Sequence, residues 1–269
     1  PGLPLVAAHR LVFLFYGAVG ALMALLYASM SPAVEPQRPA PAAPGKGTGA
    51  RCMGLRRPES RFIVARLSAL FAMDAFAGGF VMQSWVAFWL ARRWAFQPDL
   101  VGAVLSAANV VAGVSGIAAG AFVRRLGAMR TMVFTHLPSN VLLALVPFMP
   151  TAASAGALLV SRFAISQMDV PARQAYVATV VAPDERSAAG GVTNLVRSLG
   201  VAASPLLLGY LSSFPAESVA FSAPFVIAGA IKIAYDLILY GLYVCGTELR
   251  ANESSAARKD EEERAATRA

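Results

Sequence analysis

The chain has 269 residues, of which 57% are hydrophobic and 14% are charged, and its formal net charge is +8. Soluble globular domains carry about 25% charged residues, and the apolar residues here form long runs between short charged stretches, which disfavours a soluble fold. The basic residues lie between those runs rather than on one soluble face, which argues against a nucleic-acid partner.

Seven apolar segments are each long enough to cross a bilayer, which takes about 20 residues. They predict an all-α membrane protein with about seven transmembrane helices, whose partner is the lipid bilayer. In chain order the segments are residues 11–30, 67–91, 100–123, 131–149, 151–181, 188–211 and 220–246.

Composition divides the chain into four parts. Residues 1–32 predict one transmembrane helix and residues 62–247 predict a bundle of six. Residues 33–61 are rich in proline and glycine, which is typical of a flexible linker. Residues 248–269 are charged and lack aromatic side chains, which is typical of a solvated tail.

The basic residues of the loops predict the orientation. Most of them fall on the side of the linker and the tail, whereas the opposite loops hold only Arg10, Arg92 and Arg93. Lys and Arg are enriched in cytoplasmic loops. We therefore expect a multi-pass protein of the plasma or inner membrane, with the linker and the C-terminus in the cytoplasm.

Charged residues interrupt several apolar runs: Asp74, Arg162, Arg197, Lys232 and Asp236. Each costs about 2.5–3.5 kcal/mol at the centre of a helix that faces lipid, so we expect them to face a cavity or one another. Structural ion pairing is the alternative to a role in solute or ion handling. The candidates for a substrate or ion pathway are Asp74, Arg162, Lys232 and Asp236.

The fifth segment carries a polar stripe that is expected to face the bundle interior. Its members are spaced by four, three and four residues, which places them on one helical face. The stripe contains Arg162, Ser166, Asp169 and Arg173.

The loop after the third segment reads GAFVRRLGAMR, from Gly120 to Arg130. It resembles the short cytoplasmic loop signature of the major facilitator superfamily, in which Gly120, Arg125, Gly127 and Arg130 fit the spacing. The acidic position of that signature is Arg124 here.

Longer stretches resemble the same family. Residues 166–211 contain the sequences DVPAR, PDER and RSLG and look like the tenth and eleventh helices of facilitator permeases. LFAMDAFAGGFVMQSW and IKIAYDLILY look like the seventh and the twelfth. The resemblance implies the sixth helix, the central linker and the six-helix second half of a transporter whose N-terminal half is a further partner.

The resemblance also implies transport of a small solute by alternating access. The transport would be coupled to a proton or a sodium ion, or would be facilitated diffusion. Lys232 and Asp236 are one turn apart and are expected to pair, with Lys232 available to Asp74 in one access state. Residues near the cytoplasmic ends of helices are expected to form a gate. These are Gly120, Arg125, Gly127, Arg130, Asp169, Arg173 and Arg186. The alternative is a cytoplasmic charge cluster that latches helix ends, formed by Asp169, Arg173, Asp184, Glu185 and Arg186.

Other classes of function find less support. The sequence contains no G-x-S-x-G, H-E-x-x-H or phosphate-loop motif, so no enzyme, catalytic residue, metal or cofactor is predicted. A retinal protein or receptor would also have seven helices, but Lys232 precedes the nearby acid Asp236, the reverse of the order in microbial rhodopsins. A non-transporting scaffold or an inactive transporter fragment remains an open alternative.

Overall fold

The computed structural model of this chain describes residues 5–31 and 54–245. Every regular element within those ranges is a helix, which confirms the predicted all-α fold. The chain divides into two compact units, Pro1–Gly47 and Thr48–Ala269. The first unit contains α1 (Leu5–Ala28). The second contains α2 (Pro58–Gly79), α3 (Gln83–Trp94), α4 (Pro98–Leu126), α5 (Ala128–Leu145), α6 (Ala152–Ser166), α7 (Asp169–Thr179), α8 (Arg186–Ser212) and α9 (Val219–Leu239).

Six stretches of the described chain are helical, long and apolar enough to cross a membrane. An α-helix satisfies its own backbone hydrogen bonds, which is the condition for crossing lipid. Each stretch contains most of one predicted segment. The stretches are His9–Ala28, Pro58–Trp94, Pro98–Leu126, Ala128–Phe148, Pro183–Ser212 and Val219–Tyr243.

The remaining predicted segment, residues 151–181, is divided between α6 and α7, which have 15 and 11 residues. Pro171 explains the division because it has no N–H to donate to the carbonyl of Gln167. Gln167 and Met168 nevertheless keep right-handed helical backbone angles. The helix therefore loses its hydrogen-bond register at this point while the chain keeps its helical course.

The first helix of the bundle begins at Pro58, inside the segment interpreted as linker. Proline suits this position because its missing N–H would have no partner in the first turn. The same helix is followed by a break at Met82, whose backbone is extended, and α3 begins at Gln83. Residues 33–53 of the predicted linker and the predicted tail, 248–269, lie outside the described residues.

Two apolar clusters form the core of the bundle. One is built around Trp85, Trp89 and Phe225, and the other around Phe71 and Tyr235. Along α2, α5 and α9, buried polar side chains lie between members of the two clusters, and we call them the buried polar layer. A charge buried in such surroundings needs a partner. The buried polar layer consists of Asp74, His136, Ser139, Asn140 and Lys232.

Helices α2 and α8 make a close backbone contact. A Cβ atom added at Gly200 of α8 would lie 2.5 Å from the carbonyl oxygen of Ala72 in α2. One turn further, the Ser204 hydroxyl donates a hydrogen bond to the carbonyl of Phe76 over 2.6 Å. Small residues thus bring the two backbones together, as is common between membrane helices.

Candidate functional site

Asp74, in the middle of α2, is the centre of the buried charges, and only 3% of its surface is exposed. Its Oδ1 accepts a hydrogen bond from Lys232 Nζ of α9 and lies 3.6 Å from His136 Nε2 of α5. Its Oδ2 lies 3.7 Å from Arg173 Nη1 of α7 and 3.9 Å from Arg197 Nη2 of α8. One carboxylate therefore links charged or titratable groups from four other helices.

Lys232 contacts Asp74 rather than Asp236, so the predicted pair within α9 is wrong in this structure. Helical spacing puts Lys232 and Asp236 one turn apart, but the nearest carboxylate across the helix interface is that of Asp74. Gly78 lies beside the lysine, and a Cβ atom added there would make an ordinary contact with Nζ at 3.7 Å. The predicted contact between Lys232 and Asp74 is the one present.

Asp236 is fully buried and is held by α5 instead. Its Oδ1 lies 2.9 Å from His136 Nδ1, and its Oδ2 accepts a hydrogen bond from Asn140 Nδ2 over 2.8 Å. The rings of His136 and Tyr235 form a T-shaped pair, with centroids 5.9 Å apart and an interplanar angle of 89°. Aromatic packing and two polar contacts thus fix the imidazole between the carboxylates of Asp236 and Asp74.

This arrangement gives His136 a partner in more than one protonation state. When Nδ1 carries a proton, it can donate to Asp236 Oδ1. When Nδ1 has a free lone pair, Asn140 Nδ2 lies 3.0 Å away as a donor. A proton on Nε2 would face Asp74 Oδ1 at 3.6 Å. Nδ1 therefore has a polar partner in either tautomer, whereas Nε2 lies just beyond hydrogen-bond distance of Asp74.

The predicted stripe on the fifth segment is only partly assembled. Arg173 Nη1 lies 2.9 Å from Asp169 Oδ2, one turn away on α7, and both side chains are buried. Arg162, on α6, forms no ion pair with any described residue, and its guanidinium carbon lies 5.2 Å from the ring centroid of Phe163. Of the four predicted pathway residues, Asp74, Lys232 and Asp236 share one network. Arg162 forms no ion pair with the other three, and its backbone carbonyl accepts a hydrogen bond from Ser139 of the buried polar layer over 3.5 Å.

Comparison with known proteins assigns the family. A model of the Major Facilitator Superfamily matches residues 68–268, which is most of the chain. The chain belongs to the major facilitator superfamily. It is also 22% identical, over 187 residues, to an uncharacterized membrane protein of Saccharomyces cerevisiae. That alignment covers 69% of this chain and 41% of the yeast protein, so the chain spans less than half of this relative's length.

Membership confirms the resemblance drawn from the loop and helix motifs. This facilitator is a multi-pass membrane protein, since it combines the family match with six apolar helices that can cross a membrane. Proteins of the superfamily are transporters rather than enzymes. The assignment also sets aside the receptor and retinal alternatives.

The loop that carries the facilitator signature, residues 120–130, includes the turn between α4 and α5. Gly127 joins the two helices with a φ of 84°, a left-handed backbone angle that favours glycine. Arg125 lies exposed in the last turn of α4, and Gly120 lies two turns from its end. Gly127 and Arg130 line an open cavity of about 450 Å³ together with Tyr176 of α7. The loop thus faces the helix that carries Asp169 and Arg173.

Glu185 connects α8 to the beginning of α2. Its carboxylate is fully buried and accepts hydrogen bonds from the backbone N–H groups of Arg56 and Arg57, the latter over 2.9 Å. These N–H groups precede the first turn of α2, where the helix dipole favours a negative charge. The contact fastens two helix ends at the side of the bundle where the linker enters.

Replacing Glu185 with alanine should loosen this attachment. A hydrogen bond to a charged group contributes about 1.5–3 kcal/mol, and we expect a loss of that size in the free energy of unfolding. Hydrogen exchange at the amides of Arg56 and Arg57 should become faster. The matched control is Asp184→Ala, because Asp184 is exposed and adjacent. Equal effects of the two substitutions would contradict the assigned contact.

Several members of this site were not predicted from the sequence, namely His136, Asn140 and Tyr235. A signal for two of them was available. His136 and Asn140 lie four residues apart inside an apolar run, which places both on one face of a membrane helix. Glu185 belongs to the charge cluster that the sequence predicts as a latch between helix ends, and its backbone partners at positions 56 and 57 were not predicted.

Proposed function

We propose that this bundle is the C-terminal half of a secondary transporter that moves a small solute by alternating access, with a proton as the coupling ion. The N-terminal half of the transporter would supply the opposing wall of the pathway, because facilitators bind substrate between two halves near the middle of the membrane. The observation that carries the proposal is the buried imidazole of His136 between two carboxylates.

The surroundings of His136 support a proton as the coupling ion. Asp74 faces it from α2 and Asp236 from α9, while Lys232 and Arg173 contact the same Asp74 carboxylate. A sodium ion would need several oxygen ligands, and these carboxylate oxygens are occupied by nitrogen donors. A second proton on His136 would add positive charge to a network whose cations and carboxylates otherwise balance.

The turn between α4 and α5 is proposed to act as a gate on the cytoplasmic side. Arg125 and Arg130 flank Gly127, and the adjacent cavity separates this turn from α7. Movement of α7 would carry Arg173 with it and change the contact with Asp74. The break at Gln167 and Met168 supports such a movement, because fewer hydrogen bonds hold α7 to α6.

The test is solute uptake into proteoliposomes. These contain the protein expressed from the whole reading frame that encodes this chain, beginning at the first methionine of that frame. A panel of small anions and neutral solutes is offered with and without an inward proton gradient. We expect the gradient to stimulate uptake of at least one solute, and His136→Phe to lose most of that stimulation while retaining a folded, inserted protein.

The control is His9→Phe, which removes the other histidine of the sequence and lies in α1. It should keep the response to the gradient. We also expect the 269-residue chain alone to insert without saturable uptake. The proposal fails if no solute accumulates, or if His136→Phe and His9→Phe respond equally to the gradient.

A further inference from the structure

A small cavity lined by three arginines lies between α2, α7 and α8. Its volume is about 100 Å³, and its basic lining residues are Arg173, Arg186 and Arg197. No Asp or Glu is among the described residues that line it. An isolated set of like charges around one space is unfavourable unless something negative enters.

The three arginines differ in how well they are neutralised. Arg173 is paired with Asp169 over 2.9 Å. Arg197 reaches Asp74 only at 3.9 Å, its Nε is buried without a hydrogen-bond partner, and 30% of its side chain is exposed. Arg186 is exposed and has no carboxylate within ion-pair distance among the described residues. Arg186 and Arg197 therefore present donors and positive charge that the bundle leaves unused.

The rest of the lining suits the same kind of ligand. Asn194 and Gln174 offer neutral hydrogen-bond donors, whereas the Thr193 hydroxyl already donates to the carbonyls of Ala189 and Gly190. A cavity of about 100 Å³ has room for a carboxylate or phosphate group. Arginine is well matched to such groups because its planar fork forms two parallel hydrogen bonds.

We propose that this cavity binds the anionic carboxylate or phosphate group of the transported solute. The proposal rests on the proposed transport function and names its substrate class. It also gives the buried network a role, because Arg197 contacts both the cavity and Asp74. A bound anion would draw Arg197 away from Asp74 and compensate the positive charge of a proton taken up at His136.

The experiment measures anion binding by the 269-residue chain in phosphatidylcholine nanodiscs. Thermal unfolding is followed during titration with inorganic phosphate and, separately, with sodium acetate. Sodium chloride at the same ionic strength and neutral acetamide are the reference titrations. We expect phosphate or acetate to raise the unfolding midpoint saturably, and the reference solutes to leave it unchanged.

Substitutions locate the site. Arg186→Gln and Arg197→Gln should each weaken the anion affinity by about tenfold, as expected for the loss of one charge-assisted hydrogen bond. Arg186→Gln is the more specific test of anion binding, because Arg186 lies outside the buried network and its replacement leaves the contacts of Asp74 unchanged. The control is Arg92→Gln, which removes the same charge from an exposed position on α3. It should bind the anion like the unaltered chain.

A lipid headgroup is the other source of the same chemistry. Nanodiscs with anionic phosphatidylglycerol would then stabilise the chain in an Arg186-dependent way, while free phosphate and acetate would have no effect. That result would overturn the assignment to a solute, as would an anion effect equally strong in Arg186→Gln and Arg92→Gln. Binding is measured without transport, so anion binding without proton-driven uptake would refute only the proposed function.

Discussion

Asp74→Asn is expected to cost about 3–5 kcal/mol of unfolding free energy, because it removes the partner of several buried cations. The amide oxygen of Asn can still accept a hydrogen bond from Lys232, but Lys232, Arg173 and Arg197 all lose a nearby negative charge. Folded proteins are stable by only about 5–15 kcal/mol, so the folded yield in the membrane should fall sharply. Unfolding of the purified chain in mixed detergent micelles measures the change.

A double-mutant cycle tests which carboxylate is the partner of Lys232. Lys232→Met removes the charge and keeps much of the side-chain volume, so Asp74→Asn combined with Lys232→Met should lose less than the sum of the single losses. The coupling between contacting residues is about 0.5–3 kcal/mol. The matched cycle uses Lys232→Met with Asp236→Asn, and its coupling should be smaller. A larger coupling to Asp236 would contradict the contact with Asp74 and support the pairing of Lys232 with Asp236 that helical spacing predicts.

Gly200→Ala is expected to destabilise the bundle by about 1–3 kcal/mol, the usual cost of forcing an extra carbon into a packed interface. The new Cβ atom would lie 2.5 Å from the carbonyl oxygen of Ala72, which belongs to the backbone of α2 and cannot turn aside. The helices would have to separate, which would also lengthen the hydrogen bond from Ser204 to Phe76.

Gly209→Ala is the control in the same helix. A Cβ atom added at Gly209 meets no described atom within 4 Å, and alanine favours a helix over glycine by about 1 kcal/mol. This variant should therefore unfold at the same detergent concentration as the original chain or a higher one. Comparable destabilisation at both positions would show that the approach of α2 and α8 is not the cause.

The apolar segments predicted the fold well because lipid imposes one simple requirement on length and hydropathy. Six of the seven segments appear as helices able to cross the membrane. The segment containing Pro171 was harder, since a proline in a membrane helix can either bend it or interrupt its hydrogen bonds. The position of the interruption depends on backbone angles that composition does not determine.

The site was predicted less completely because its contacts cross between helices. The charged residues at positions 74, 232 and 236 were found from their high cost in lipid. Their pairing was not, since Lys232 and Asp74 are 158 positions apart and only the packing of α2 against α9 brings them together. Local spacing favoured Asp236, whose true partners, His136 and Asn140, lie on α5.

Glu185 recognises main-chain N–H groups, and this has a consequence for how the sequence can vary. Any amino acid other than proline supplies an N–H, so the contact imposes no side-chain requirement at positions 56 and 57. Substitutions at those two positions need no compensating change at 185. Correlated-substitution methods would therefore find no coupling of position 185 to positions 56 and 57. Any coupling across this contact would come from Ser60, whose side chain also forms a hydrogen bond with the Glu185 carboxylate.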